Sequence, residues 1–232
     1  MSLFSTLGVD TGLGARDARA RTATRPAIVV VLASVALAVV AGMLERRAAG
    51  AGAVDRALRA VFNLVVPLSS FALFALATGR RRLDQTVWSV ARFGADRRGV
   101  ALGAIASAWV ASALVAALAA VVAVVSAHGG ASAPLAFDAL TSAWIAALTA
   151  CSYVSWFAVG ATFFRFGGGR GVILVIDFIL GDVGVLASLM PRGLAQNLLG
   201  LAVSGLSQRS ASATLVATAI VGALVAALRC GR

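Results

Sequence analysis

The chain has 232 residues, of which 60% are hydrophobic and 12% charged, and its mean hydropathy is +0.95. An ordinary soluble domain is about 45–50% apolar and about 25% charged, so this composition excludes a disordered chain and a disulfide-stapled miniprotein and argues strongly against a water-soluble globule. The net charge is +11, and every one of the 20 basic residues is arginine. The class implied is an all-α, polytopic membrane protein.

The elements follow in chain order. Residues 1–26 form a basic tail. It opens with the apolar Leu3, Phe4 and Leu7 and carries Arg16, Arg19, Arg21 and Arg25. Two readings stay open: a short interfacial helix resting on anionic head groups, or a basic tail without structure, which Gly8, Gly12 and Gly14 favour. Residues 27–232 form one transmembrane domain. A spanning helix needs about 20 mainly apolar residues, and six stretches qualify: 27–44, 60–78, 99–127, 139–164, 172–190 and 211–228. The leader before the first stretch and the stretch itself are both long for a signal peptide. Pro67 is expected to kink the second span without abolishing it, because neighbouring helices can satisfy the freed backbone groups.

The segment between the second and third spans, Gly79–Gly99, is polar and arginine-rich. Leu83, Val87, Val90 and Ala91 recur in it at helical spacing. Asp84 and Gln85 suit the first turn of a helix and Arg92 the last. The spacing predicts a short amphipathic helix over 83–92 that carries Trp88, with Phe93 following and the helix ending near Gly94. Gly99, Gly103, Ser107 and Ala111 then line one face of the third span at spacing four, a pattern that admits a closely packed neighbour. His128, Gly129, Gly130, Pro134 and Asp138 read as an exterior turn.

The fifth span contains Asp177 and Asp182. Five residues apart, the two acids point about 140° away from each other on a helix. Intramembrane acids are costly and face a bundle interior or water, so both are candidates for an intramembrane polar site. Asp177 is expected to hydrogen-bond to a neighbouring helix or to pair with Arg165 or Arg170, and Asp182 lies deeper. The stretch Leu189–Ser210 is apolar but broken by Pro191, Gly193, Asn197, Gly200 and Gly205. It is expected to form one or two short helices dipping into the outer leaflet.

Arginine placement sets the expected orientation. With the N-terminus inside, Arg16, Arg19, Arg21, Arg25, Arg80, Arg81, Arg82, Arg92, Arg97, Arg98, Arg165, Arg170, Arg229 and Arg232 are cytoplasmic. Only Arg46, Arg47, Arg56, Arg59, Arg192 and Arg209 are outside. Both termini are therefore expected in the cytoplasm, with the chain in a plasma (inner) membrane. The positive-inside pattern explains the charge without nucleic acid. One histidine, no lysine, no Gly-x-Ser-x-Gly elbow and no phosphate-cradling glycine loop argue against an enzyme and against ATP hydrolysis by this chain. No metal site or resident cofactor is expected, nor is a disulfide between Cys151 and Cys230.

This order of parts resembles a type-2 ABC export permease, the six-helix family that includes drug, antibiotic and polysaccharide exporters. The stretch RRLDQTVWSVARFGADRRGVALG, Arg81–Gly103, is similar to that family's coupling-helix region. The stretches ILVIDFILG and MPRGLAQNLLG are similar to its fifth span and outer re-entrant hairpin. The resemblance implies a separate ABC ATPase subunit that binds ATP and docks from the cytoplasm on Gln85, Trp88, Ser89, Arg92, Phe93, Arg97 and Arg98. Trp88 and Phe93 would enter the ATPase cleft, while Arg92, Arg97 and Arg98 hold the head-group plane. It also implies a dimer with a second copy or a homologue, with the translocation path at the interface. Two other classes stay open: an ATP-independent secondary transporter or channel using Asp177 and Asp182, and a non-transporting membrane scaffold.

Overall fold

The computed structural model describes residues 3–48, 52–79, 81–129, 134–181, 184–201 and 206–231, and every regular element among them is helical. The order is α1 (Leu3–Thr22), α2 (Arg25–Arg47), α3 (Ala53–Ala60), a π-helical segment (Val61–Val65), α4 (Val66–Thr78), α5 (Leu83–Ala91), α6 (Arg97–Ala127), α7 (Leu135–Gly160), a 3₁₀ turn (Arg165–Gly167), α8 (Gly169–Leu180), α9 (Gly184–Ala187), α10 (Pro191–Leu198) and α11 (Gln208–Cys230).

Local chemistry sets several boundaries. Pro26 stands in the first turn of α2, where its missing N–H has no helical partner to lose. Asp96 caps α6, its side chain accepting a hydrogen bond from the Arg98 amide. Ser207 caps α11 in the same way through the Ser210 amide. The expected kink at Pro67 takes a definite form. The helix from Ala53 to Thr78 runs on, but it widens into π geometry over the five residues just before Val66 and Pro67. A proline removes one i→i−4 hydrogen bond and crowds the carbonyl four residues back, here that of Asn63, and a π bulge relieves both.

The long helix α6 is the axis of the bundle, with α1, α2, α4, α7 and α11 packed around it. Its buried face is almost wholly small, including Gly99, Ala104, Ala108, Ser112, Ala116, Ala119 and Ala123. Small side chains let helix backbones approach closely, which is how helices adhere where lipid cancels the hydrophobic drive between them. A Cβ on Gly42 of α2 would meet the Ser126 Cβ at 2.5 Å. The α6–α7–α11 contact is pinned by polar groups: Trp109 Nε1 donates to Ser155 Oγ at 3.0 Å, and Ser155 Oγ donates to the Ala219 carbonyl at 2.7 Å.

The small-residue face predicted on the third span finds its partner in α1. A Cβ on Gly103 would overlap the Thr11 carbonyl oxygen, one on Gly14 would overlap the Val100 carbonyl oxygen, and one on Gly99 would lie 2.8 Å from the Asp10 Cβ. Asp10, Gly14 and Ala18, spaced four apart, are the buried face of α1. The N-terminal segment is thus a 20-residue helix seated on the bundle.

Among the described residues, five helices are long and apolar enough to cross a membrane: α2, the helix containing α4, α6, α7 and α11. Their outer surfaces are apolar as well. Ile28, Val29, Leu32, Leu37, Val40, Met43 and Leu44 are all exposed on α2, a face that water would not tolerate and hydrocarbon would. The chain is a multi-pass, all-helical membrane protein. The stretch 172–190, expected as a fifth full span, is built differently. There α8 has 12 residues, about 18 Å of helix, against a hydrocarbon core about 30 Å thick. Beyond it come the single turn α9 and the short helix α10.

Candidate functional site

Two places gather side chains with chemistry to offer, and they lie at different depths of the bundle. The first is the corner around α5, at the end where α1, the 161–168 turn and the C-terminus of α11 also meet. Leu83, Thr86, Val87 and Ala91 point inward and are buried. The Leu83 amide donates to the Ala161 carbonyl, Arg82 Nη2 to the Thr162 carbonyl at 3.2 Å, and Thr86 Oγ1 to the Thr78 carbonyl at 2.7 Å. Arg170 reaches across from α8, donating to Thr78 Oγ1 at 3.0 Å and to the Gly79 carbonyl at 2.8 Å. On the N-terminal side, Asp10 Oδ2 accepts from the Asp96 amide at 3.0 Å. The helix is therefore held at both ends and along its inner face.

All seven residues singled out on this segment (Gln85, Trp88, Ser89, Arg92, Phe93, Arg97 and Arg98) are exposed. Gln85, Trp88, Ser89 and Arg92 follow the i, i+3, i+4, i+7 spacing of one outward helix face. Trp88 is 49% exposed and Phe93 80%. The Arg92 guanidinium lies 4.7 Å from the centre of the Phe93 ring. A groove of about 640 Å³ runs beside the helix, lined by Arg81, Asp84, Gln85, Trp88, Arg97 and Phe166. Phe166 was not legible as part of this surface. It stands in the turn between α7 and α8, where Phe164 and Phe166 both hold positive φ, 59° and 58°. Two bulky residues in that sparsely populated region strain the backbone of the turn, and both side chains are exposed.

The second place is a buried polar network in the bundle. Asp177 of α8 is 1% exposed. Its Oδ2 accepts from the Tyr153 hydroxyl of α7 at 2.6 Å, and its Oδ1 accepts from the Arg192 amide at 3.5 Å. Arg192 Nε donates to Asn63 Oδ1 at 3.1 Å, and Gln196 Nε2 donates to the same oxygen at 2.7 Å. Arg192 Nη1 also donates to the Phe178 carbonyl at 3.3 Å. Four elements thus meet on five polar side chains: the π segment, α7, α8 and α10.

Of the two expectations for Asp177, helix–helix hydrogen bonding holds, through Tyr153 and the start of α10, and pairing with Arg165 or Arg170 does not: Arg170 serves the carbonyl end of α4. Arg192, counted among the outer-side arginines and expected within short helices, stands in the short helix α10, half-buried and bonded to Asn63 and the Phe178 carbonyl. Asp182 lies outside the described residues. Sequence reading missed Asn63, Tyr153, Arg192 and Gln196. Asn63 within VFNLVV and the only tyrosine of the chain were the available signals. Cys151 and Cys230 are both free, and no three acids, histidines or cysteines among the described residues come together as a metal site.

Fold and sites define a multi-pass helical membrane protein with an exposed aromatic and basic corner at one end and a buried hydrogen-bond network within. No protein family, curated protein or solved structure matches the chain.

Proposed function

We propose that this chain is the membrane-spanning permease subunit of an ABC exporter, forming half of a translocation path driven by a separate ATPase. The observation that carries the reading is α5. Its inner face is fixed to the bundle, while Gln85, Trp88, Ser89 and Arg92 on its outer face, with Phe93, Arg97 and Arg98 at the following corner, are exposed. A loop that served only to retain positive charge on one side of the membrane has no need of a rigid helix displaying Trp88 and Phe93 among arginines. Aromatic residues and arginine are the side chains that dominate protein interfaces. In this reading both termini and α5 are cytoplasmic, and α8 to α10 make the sixth membrane element, entering and returning by short helices. ATP binds the partner, and a second permease subunit completes the path. The test is co-purification of an ATPase subunit encoded alongside this chain, with the wild type and with Trp88→Ala/Phe93→Ala. Loss of the ATPase with unchanged permease yield is expected, and unchanged recovery overturns the docking role.

A second reading, an ATP-independent transporter or channel, draws on the buried Asp177, since intramembrane acids commonly line ion or proton paths. Uptake or efflux driven by an ion gradient in vesicles lacking any ATPase, and abolished by Asp177→Asn, is its signature.

A further inference from the structure

The turn from α7 to α8 is gripped at both ends. Gly160 and Gly169 meet so closely that a Cβ on Gly169 would overlap the Gly160 carbonyl oxygen. The Ala161 carbonyl accepts from the Leu83 amide, and the Thr162 carbonyl from Arg82 Nη2. On the far side, a Cβ on Gly167 would lie 2.8 Å from the Arg81 carbonyl oxygen. The few residues left to close the link take the strain. Phe164 (φ 59°, ψ 163°) and Phe166 (φ 58°, ψ 22°) hold conformations that glycine adopts freely and a bulky residue does not. Closure accounts for the positive φ. It does not account for phenylalanine, in a segment whose next three residues are Gly167, Gly168 and Gly169. Packing does not account for it either, since the Phe166 side chain is exposed. Strain kept without a structural return is a mark of function.

Phe166 lines the same groove of about 640 Å³ as Trp88 of α5. That volume is within the range of binding sites, about 300–1,000 Å³. The lining has two chemistries. Trp88 and Phe166 offer apolar contact, and Arg81 and Arg97 offer positive charge. The one acid in it, Asp84, is already paired with Arg82 at 3.1 Å. The surrounding corner is basic too, with Arg92, Arg98, Arg165 and Arg229 exposed. The complementary occupant is a protein surface that carries an apolar side chain between acidic ones. A fluid bilayer takes up an exposed ring without any need of a strained, fixed backbone, whereas a shaped partner gains from a ring held in place beforehand.

We propose that the groove between α5 and the α7–α8 turn receives an acidic segment of the ATPase subunit, with Phe166 as its apolar anchor beside Trp88. This rests on the permease reading above and adds a second element to its docking surface. The decisive variant is Phe166→Gly, which removes the ring and puts at φ 58° the residue that holds that angle without strain. Its unfolding midpoint in detergent is expected to equal or exceed that of the wild type. Its recovery of the ATPase subunit encoded alongside this chain is expected to fall about tenfold, the loss of an interface anchor. Arg81→Glu/Arg97→Glu, which turns the charge of the groove against an acidic partner, is expected to lose at least as much. Unchanged recovery with either variant, while Trp88→Ala/Phe93→Ala loses the ATPase, overturns the groove and leaves the permease reading standing. Unchanged recovery with all three overturns both. A lowered midpoint for Phe166→Gly would make the ring structural and overturn the inference as well. A Phe166→Cys variant in inverted membrane vesicles separates protein from bilayer. A water-soluble maleimide is expected to label it readily without the ATPase and about tenfold more slowly with the ATPase bound, over the baseline set by Cys151 and Cys230 in the wild type. No labelling in the absence of the ATPase would put this position in the bilayer and overturn the proposal, as would equal labelling with and without it.

Discussion

Tyr153 donates its phenolic hydrogen to Asp177 across the α7–α8 contact at 2.6 Å, and both residues are about 1% exposed. A buried carboxyl in such a place depends on its donors, because leaving a buried polar group unsatisfied costs about 1–3 kcal/mol. Interhelical hydrogen bonds in membranes are weaker, averaging about 0.6 kcal/mol, because the unfolded reference also finds partners. Tyr153→Phe removes the donor while keeping the ring, which also stacks on Phe157 at 5.7 Å. The expected loss is about 0.6–2 kcal/mol, read as a lowered unfolding midpoint in detergent. A midpoint equal to that of the wild type would mean that the bond carries nothing.

Asn63 is the acceptor that ties α10 to the π segment. Asn63→Leu removes the oxygen used by both Arg192 Nε and Gln196 Nε2. Because α10 is only eight residues long, it cannot hold itself as a helix in isolation. Amide exchange over 191–198 is therefore expected to accelerate in this variant, while the core of α6 remains protected. Uniform acceleration throughout the bundle would instead indicate global destabilisation.

The two faces of α5 make a paired prediction. Leu83 is fully buried, and Leu83→Ala is expected to cost about 2–5 kcal/mol of stability. Trp88 is half exposed, so Trp88→Ala is expected to stay within about 0.5 kcal/mol of wild type. Thermal unfolding of the two variants side by side checks this, and a Trp88→Ala penalty as large as that of Leu83→Ala would mean that the helix is docked the other way round.

These comparisons also mark what the sequence carries and what it does not. The helix at 83–92 was legible within one residue because inward Leu83, Val87 and Ala91 and outward Gln85, Trp88 and Arg92 follow one period. Spans such as 99–127 were legible because hydropathy alone decides them. The stretch 172–190 was legible as apolar but not as interrupted, because an average does not register that α8 ends at Leu180, beside Gly181. Gly99 and Gly103 announced a close neighbour but could not name it, since a glycine records distance and not identity. Asn63, Tyr153, Asp177 and Arg192 are each one polar residue in a separate stretch, and nothing local links them before the chain folds.

The α1–α6 crossing gives the sharpest contrast. A methyl group on Gly103 would overlap the Thr11 carbonyl oxygen, a backbone atom with no rotamer to escape into, whereas one on Gly8 would meet nothing within 4 Å. Gly103→Ala must push α1 off its seat, and overpacking of this kind costs about 1–3 kcal/mol. Gly8→Ala adds helix propensity without contact and is expected to stabilise α1 by about 0.5–1 kcal/mol. Limited proteolysis between α1 and α2 reads both: faster cleavage near Thr22 to Thr24 is expected for Gly103→Ala, and slower or unchanged cleavage for Gly8→Ala. If both variants were cleaved at the wild-type rate, α1 would not be seated on Gly103.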